Sequence, residues 1–386
     1  MYKIDDTLKM YHIDINMTRL CNLDCDYCFE PTEIGSISED FVEEFIKWIN
    51  KFLASDFFIN NYDMLNINFW GGEPTLKAVE LMNIINAFYD NEKVKFFIFS
   101  NGYNISELKT FLNGHKKDKA LGNHPKICIQ ISYDGYVIHN KHRVNKKGED
   151  TSKDVVDTIK WLNSNEIPYV IKSVITPEDF KYMVYAYDDI KYHTYENNPS
   201  FFKSQNYNPT IEYFTSEIYS ESEIEIFIKD LRNSLIKLVA RELVYIKEKG
   251  HRPFFSWLHK NIALCSAGQH YIAVDYDGNV YPCHGCLYLN KDEHFITNIK
   301  QDASIENIAK ISKVFQKNNK YIPNTCKECD ADFCMKCNVT KYELSKKQDY
   351  FEKWRDYDNQ ETLCRYFKEI GKFIKIFRSK LDLGGQ

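Results

Sequence analysis

Six β-rich runs alternate with amphipathic stretches through the first two-thirds of this chain, and that alternation narrows its possible folds more than any other feature. The runs are "YHIDINMT" (11–18), "LNINFW" (65–70), "VKFFIF" (94–99), "KICIQIS" (126–132), "YVIKSVIT" (169–176) and "TIEYF" (210–214). Between them lie helical patterns at 38–54, 76–90 and 152–164. Strands separated by helices form βαβ units with parallel strands and right-handed crossovers. Six such units curl into an incomplete barrel with a side opening. The expected fold class is therefore α/β, a partial (β/α)6 TIM-like barrel. Along a barrel strand, side chains alternate between interior and exterior. One face of the first run holds His12, Asp14, Asn16 and Thr18; the second sets Asn66 and Asn68 together, and the fourth Cys128, Gln130 and Ser132. The opposite, apolar faces belong against the helices. The polar faces then line a cavity for a polar ligand rather than a packed plug.

With 386 residues, the chain has room for two to three domains, or one large barrel plus an appendage. The division expected is 1–255 for the barrel and 256–386 for a cysteine-rich remainder ending in a helix. Hydrophobic residues at 44% and charged ones at 27% suit a globular protein with a sizeable core. A net charge of −5 offers no basic footprint, which argues against a nucleic-acid partner. No uncharged apolar run reaches the roughly 18 residues that would span a bilayer. "MYKIDDTLKMYHID" lacks the basic-then-apolar layout of a signal peptide, so the cytoplasm is the default location and no membrane partner is expected. The 27 Tyr and 26 Phe read as compositional bias, since they rise together with Asn, Lys and Ile, before they read as an aromatic-binding surface. The polar, aromatic stretch at 191–209 is either a lid or a plain solvated loop. A long helix over roughly 222–248 closes the barrel section. Beyond it, "YIAVDYDGNVYPC" holds Asp277-Gly278 between alternating apolar runs, a strong hairpin signal.

Ten of the twelve cysteines fall into three tight groups: Cys21, Cys25 and Cys28; Cys265, Cys283 and Cys286; Cys326, Cys329, Cys334 and Cys337. Cys128 and Cys364 stand apart, and Cys128 reads as a small core residue. Clustered thiols in a chain with no secretion signal are metal ligands rather than a disulfide framework, and thiolates select zinc or iron–sulfur clusters. The first group directly follows the first strand, at the C-terminal edge where parallel barrels build their sites. Three thiolates there can hold three irons of a cubane [4Fe–4S] cluster and leave the fourth iron open. A zinc site would need a fourth ligand, and the nearest histidine, His12, lies on the strand.

The spacing "CNLDCDYC", with Tyr27 just before the last cysteine, resembles the signature of the radical S-adenosylmethionine (SAM) superfamily. Matching segments end the next three strands. "GGEP", Gly71 to Pro74, resembles the segment whose backbone aligns the SAM amino group, with Gly71, Gly72 and Glu73 as the residues concerned. "SNG" resembles the ribose-contact segment and implicates Ser100 and Asn101. "ISYDGYVIHNKHR" carries Ser132, Asp134 and Arg143, and Arg143 would suit the SAM carboxylate because a guanidinium binds it through two hydrogen bonds. The C-terminal cysteines resemble the SPASM extension of peptide-modifying members. Cys265 to Gly278 to Cys283 fits its opening hairpin; "CKECDADFCMKC" followed by Cys364 fits the rest, except that spacings of four and two stand where the pattern expects five and three. That tighter form also fits a zinc ribbon. The resemblance implies three [4Fe–4S] clusters and SAM as cofactors. Cys265, Cys283 and Cys337 would bind a nearer auxiliary cluster, with Cys286 either its fourth ligand or a free thiol. Cys326, Cys329, Cys334 and Cys364 would bind a farther one.

The activity implied is reductive cleavage of SAM and hydrogen abstraction from a peptide or protein substrate, fed by a reducing partner such as flavodoxin or ferredoxin. The first expectation is a maturase that installs a crosslink, thioether or similar oxidation in a ribosomally made peptide. The alternative is a sulfatase maturase-like enzyme forming formylglycine; that group usually has an aspartate base after the hairpin cysteine, where this chain has His284. His284 is itself a candidate base, or a histidine that supports a ligand. A reading from another class is a non-catalytic electron carrier or zinc scaffold. It would not need "GGEP" or Arg143. With the first strand starting near residue 11, no N-terminal leader-peptide-binding domain is expected. Recognition would then fall to a separate protein or to the barrel and SPASM surfaces.

Overall fold

The computed structural model describes residues 9–28, 35–114, 126–196, 207, 209–211, 219–249, 254–258, 266–287, 294–318 and 359–380. Six parallel strands follow one another in the sheet: β1 (Met10–Thr18), β2 (Met64–Gly71), β3 (Val94–Ser100), β4 (Ile127–Ser132), β5 (Tyr169–Ile175) and β6 (Pro209–Ile211). Of the sequence run at 210–214, residues 212–214 lie outside the described set. Three more strands join at the other edge. β7 (Tyr271–Val274) pairs parallel to β1, and β8 (Asn279–Tyr281) and β9 (Thr297–Asn298) follow antiparallel. The order is β6-β5-β4-β3-β2-β1-β7-β8-β9, so the hairpin of the C-terminal part extends the barrel sheet instead of standing apart from it.

The crossovers are α1 (Glu39–Leu53) and α2 (Asp56–Asn61), α3 (Ala78–Phe88), α4 (Ser106–Gly114), α5 (Tyr136–His142) and α6 (Ser152–Ser164), and α7 (Met183–Lys191). α8 (Glu221–Lys249), α9 (Ser304–Asn318) and α10 (Asn359–Lys380) complete the helices used below. α1 starts at Ser38, whose hydroxyl accepts from the Phe41 amide at 3.2 Å, with Glu39 and Asp40 in the first turn. Such a cap satisfies an orphan amide and favours the positive helix end. Its apolar stripe, Phe41, Phe45, Trp48, Ile49 and Phe52, is buried.

The register explains where the core sits. Parallel partners share a face, and Ile15, Phe69, Ile98 and Ile129 form one outward row of fully buried side chains against the helices. The inward rows are mixed: Asp14, Asn68, Phe97 and Cys128 in one, Phe99, Gln130 and Val170 in the next, then Ser132 beside Lys172. The polar lining read from β1, β2 and β4 is thus present, and β3 and β5 add aromatic and aliphatic walls to it. At the β6 end, the fully buried Glu242 accepts from the Phe254 amide at 2.8 Å, the Phe255 amide at 3.1 Å and the Tyr187 hydroxyl. α10 lies along α8 through Arg232–Glu369 at 2.7 Å. Among the described residues no helix is long and apolar enough to cross a membrane.

Candidate active site

The three-cysteine loop emerges from β1 and is held from several sides. Leu23 bridges to Asn145, and the Asp24 amide donates to the Val144 carbonyl at 2.8 Å. Asn101 Nδ2 donates to Asn22 Oδ1 at 2.7 Å, and His142 Nδ1 meets the Asp26 carboxylate at 2.8 Å. Nitrogen donors also face the sulfurs: the Leu23 amide at 3.4 Å and Asn101 Nδ2 at 3.8 Å from Cys21 Sγ, and an Arg143 terminal nitrogen at 4.0 Å from Cys25 Sγ. Such donors are what tune the thiolates of an iron–sulfur cluster, so this loop fits one. Burial pushes the Cys21 thiol up to about 11 and the Cys25 thiol to about 12. A metal binding there would displace these protons to solvent, because the thiolate is the ligand.

β2 ends in a close approach that only glycine permits. A Cβ on Gly71, whose φ is +141°, would stand 2.3 Å from the Thr18 carbonyl oxygen, and one on Gly72 would stand 2.4 Å from that of Leu20. The Gly72 and Glu73 amides donate to the same two carbonyls at 2.8 and 2.9 Å. The Glu73 carboxylate is fully buried and occupied, accepting from the Asn101 amide at 2.7 Å and the Thr75 amide at 3.1 Å. Burial raises its pKa, opposed by those donors. Glu73 thus ties the end of β2 to the end of β3. Ser100 is buried and accepts from the Gly102 amide at 3.0 Å.

At the end of β4, Asp134 is fully buried and shared. Its Oδ2 accepts from Arg143 Nε at 2.6 Å and from the Tyr27 hydroxyl, and its Oδ1 from the Val174 amide at 2.7 Å. Burial works against its charge, yet Arg143 and the hydrogen bonds hold its pKa below the ordinary carboxylate value. Arg143 also lies over the Tyr27 ring, 5.2 Å from its centroid, a cation–π contact. Tyr27, Asp134 and Arg143 therefore form one unit behind the cysteine loop, with Ser132 on the inward face beside them.

His284 arrives from the C-terminal hairpin. Its ring lies against Trp70, tilted by 33° with centroids 4.4 Å apart, and its Nδ1 lies 3.3 Å from Asp14 Oδ2 and against the Tyr271 hydroxyl. Tyr271 donates to Asp14 at 2.5 Å, and Asn68 donates to the other Asp14 oxygen at 2.6 Å. The hairpin is anchored by Asp275, which accepts from Arg19 at 3.0 Å and Asn16 at 3.1 Å. Cys283 and Cys286 face each other with sulfurs 3.6 Å apart, about the spacing of two thiolates on one tetrahedral metal with bonds of roughly 2.3 Å. Cys364 is exposed on α10. Cys265, Cys326, Cys329, Cys334 and Cys337 lie outside the described residues. Cys128 faces the interior at mid-barrel, next to Phe97. Sequence reasoning passed over Trp70 and Tyr271 as site residues. The available signals were Trp70's place just before Gly71 and Tyr271's at the head of the hairpin.

The family model described as the radical SAM superfamily matches residues 15–190, and that of SPASM, an iron-sulfur cluster-binding domain, matches 265–330. The chain thus carries a radical SAM domain followed by a SPASM domain. These two domains imply SAM and iron–sulfur clusters as cofactors. Two curated relatives are 28% identical over 177 and 182 residues, and the chain spans about half of their own length, 56% and 42%. The radical SAM cyclopropyl synthase TigE of Paramaledivibacter caminithermalis is 22% identical over 73% of this chain and 59% of its own. A cysteine-type anaerobic sulfatase-maturating enzyme of Clostridium novyi is 22% identical over 80% and 82%. Among solved structures, native anSMEcpe with bound AdoMet and Cp18Cys peptide superposes over 94% of this chain and 99% of that one, with TM-score 0.63 and 18% identity. That likeness establishes the shared fold, the partial barrel with its C-terminal extension.

Proposed function

We propose that this protein is a peptide-modifying radical SAM oxidoreductase that installs a crosslink, thioether or similar oxidation in a ribosomally made peptide. The observation that carries the reading is the insertion of His284 from the SPASM hairpin into the barrel. There it meets Trp70 and the Asp14–Tyr271 pair, on the strand that ends at the cysteine loop. A bound cluster with SAM supplies one-electron cleavage to a radical that abstracts hydrogen from an unactivated carbon. This chain's residues supply placement. Cys21, Cys25 and Cys28 hold the cluster; Gly71, Gly72 and the Tyr27–Asp134–Arg143 unit shape the SAM position, with Ser132 on the inward wall. His284 stands where a proton acceptor would serve the oxidised substrate, oriented by Tyr271 and Asp14. Cys265, Cys283, Cys286 and Cys337 would bind one auxiliary cluster and Cys326, Cys329, Cys334 and Cys364 another, within a division of the chain at 255/256.

Support for a peptide substrate comes from the neighbour described with a bound peptide, and for bond-forming chemistry from TigE, a radical SAM cyclopropyl synthase. The formylglycine reading is kept because of the relative from Clostridium novyi. His284, in place of the aspartate usual in that group, weighs against it. A one-electron donor such as flavodoxin or ferredoxin and a cytoplasmic location complete the proposal. Anaerobically reconstituted protein with dithionite and SAM is expected to release 5′-deoxyadenosine and to hold ~12 irons per chain. Cys25→Ala is expected to end that release, and its survival in the variant would defeat the assignment.

A further inference from the structure

One layer below Asp14, toward the N-terminal ends of the strands, the inward face carries a second polar row. His12 of β1 is the register partner of Asn66 on β2, and Asn66 of Lys95 on β3, all three half-buried. Asp14 sets the polarity of the hydrogen bonds that lead down to this row. Its carboxylate accepts from Asn68 Nδ2 at 2.6 Å, so Asn68 turns its oxygen to Asn66 Nδ2 at 2.7 Å. The same Asn66 nitrogen lies 3.4 Å from His12 Nδ1, which is then the acceptor and leaves the ring proton on Nε2. Burial lowers the His12 pKa, with Asp14 opposing and His270 assisting, and burial lowers that of Lys95 as well. Among the described residues, Lys95 makes no hydrogen bond or ion pair. Lys126, the next cation along, spends its ammonium on the Asn91 and Val94 carbonyls, both at 2.6 Å. The row thus offers an ammonium and an imidazole N–H with no carboxylate of its own. A partly desolvated cation left so is costly unless an anion comes to it.

We propose that Lys95 and His12 bind an aspartate or glutamate side chain of the peptide substrate at the N-terminal end of the barrel interior. The site rests on the peptide-modifying reading above and names the kind of peptide, an acidic one. Strand geometry sets where its acid lies. His12 and Asp14 are two residues apart on β1, about 6.6 Å along the strand, and side chains on one face of an extended peptide repeat at the same interval. His284 lies against Asp14, so a substrate residue held at His284 brings the residue two positions away to the Lys95 row. There the ammonium gives the carboxylate a charge-assisted hydrogen bond, and the imidazole N–H gives a second.

The test offers the reconstituted holoenzyme with SAM a display library of short random peptides whose C-termini are joined as amides, so that only side chains supply carboxylates. Sequencing of the retained pool is expected to show Asp or Glu enriched about tenfold at one position. That enrichment is lost with Lys95→Met and passes to Lys or Arg with Lys95→Glu. Peptides retained without acidic preference, or with a preference that persists in Lys95→Met, would overturn the site alone. Retention of no peptide at all would overturn the peptide reading with it. Thermal unfolding checks that the variants fold. Should they fail to, acetylation of wild-type Lys95 read by mass spectrometry decides: a retained acidic peptide shields it and the same peptide with Asn or Gln in place of the acid does not. Equal labelling would then overturn the site. Release of 5′-deoxyadenosine by the same wild-type sample separates each of these outcomes from failure of the radical SAM reading.

Discussion

Asp134 is the residue on which Arg143, Tyr27 and the Val174 amide converge. Replacing a buried, shared carboxylate disturbs several partners at once, which makes it a blunt probe. Gly72 is a sharper one. Its hypothetical Cβ meets backbone, 2.4 Å from the Leu20 carbonyl oxygen, and backbone has no rotamer through which to escape. Gly72→Ala is expected to cost about 1–3 kcal/mol, the range for overpacking. It should also pull the end of β2 away from the cysteine loop. Thermal unfolding and SAM binding measured together check this: unchanged SAM affinity would show that the approach of β2 to the loop does not shape the SAM position.

At the scale of elements, α5 carries two buried histidines of opposite character. His142 is clamped between Asp26 and Asp179, and those hydrogen bonds raise its pKa against the effect of burial. His139 is buried beside Thr151, and desolvation lowers its pKa to about 4, with Asp134, Asp150 and Asp189 opposing and Arg143 assisting. A histidine depressed in the fold but ordinary when unfolded stabilises the protein above the unfolded pKa of about 6.5. That contribution is lost as pH falls toward about 4, because the unfolded chain takes up the proton first. The effect is worth up to about 3 kcal/mol. His139→Gln should therefore unfold at a temperature that depends less steeply on pH between about 7 and 5 than that of the wild type. Equal slopes would show that His139 does not carry the dependence.

Over the whole molecule, the barrel and the SPASM hairpin share one sheet, and their joint is polar where it nears the cysteine loop. Asn16 of β1 and Arg19 just beyond it both reach Asp275 after β7, and the Arg19 and Asp275 side chains are almost wholly buried. Breaking a buried pair from one side typically costs about 3–5 kcal/mol, since the remaining charge stays buried. Asp275→Asn is expected to lower the unfolding temperature and to speed amide exchange in 271–281 ahead of the outer barrel strands. Uniform exchange across the sheet would place the joint's strength in backbone pairing alone.

The periodicity of the strands, read residue by residue, already determined the parallel α/β order and the inward polar rows, because a period of two dictates the facing of every side chain. A local motif did the same for the Asp277-Gly278 hairpin, whose geometry is set by neighbours in the chain. What the tertiary structure alone decided are pairings across long separations. Tyr27 and Asp134 are 107 residues apart, and Asp14 and Tyr271 are 257 apart. The first ties Asp134 to the cysteine loop through Tyr27, and the second docks the hairpin that carries His284 against Trp70. No local pattern encodes which side chains meet there, because the meeting depends on how the crossovers and the docked hairpin bring distant strands into register.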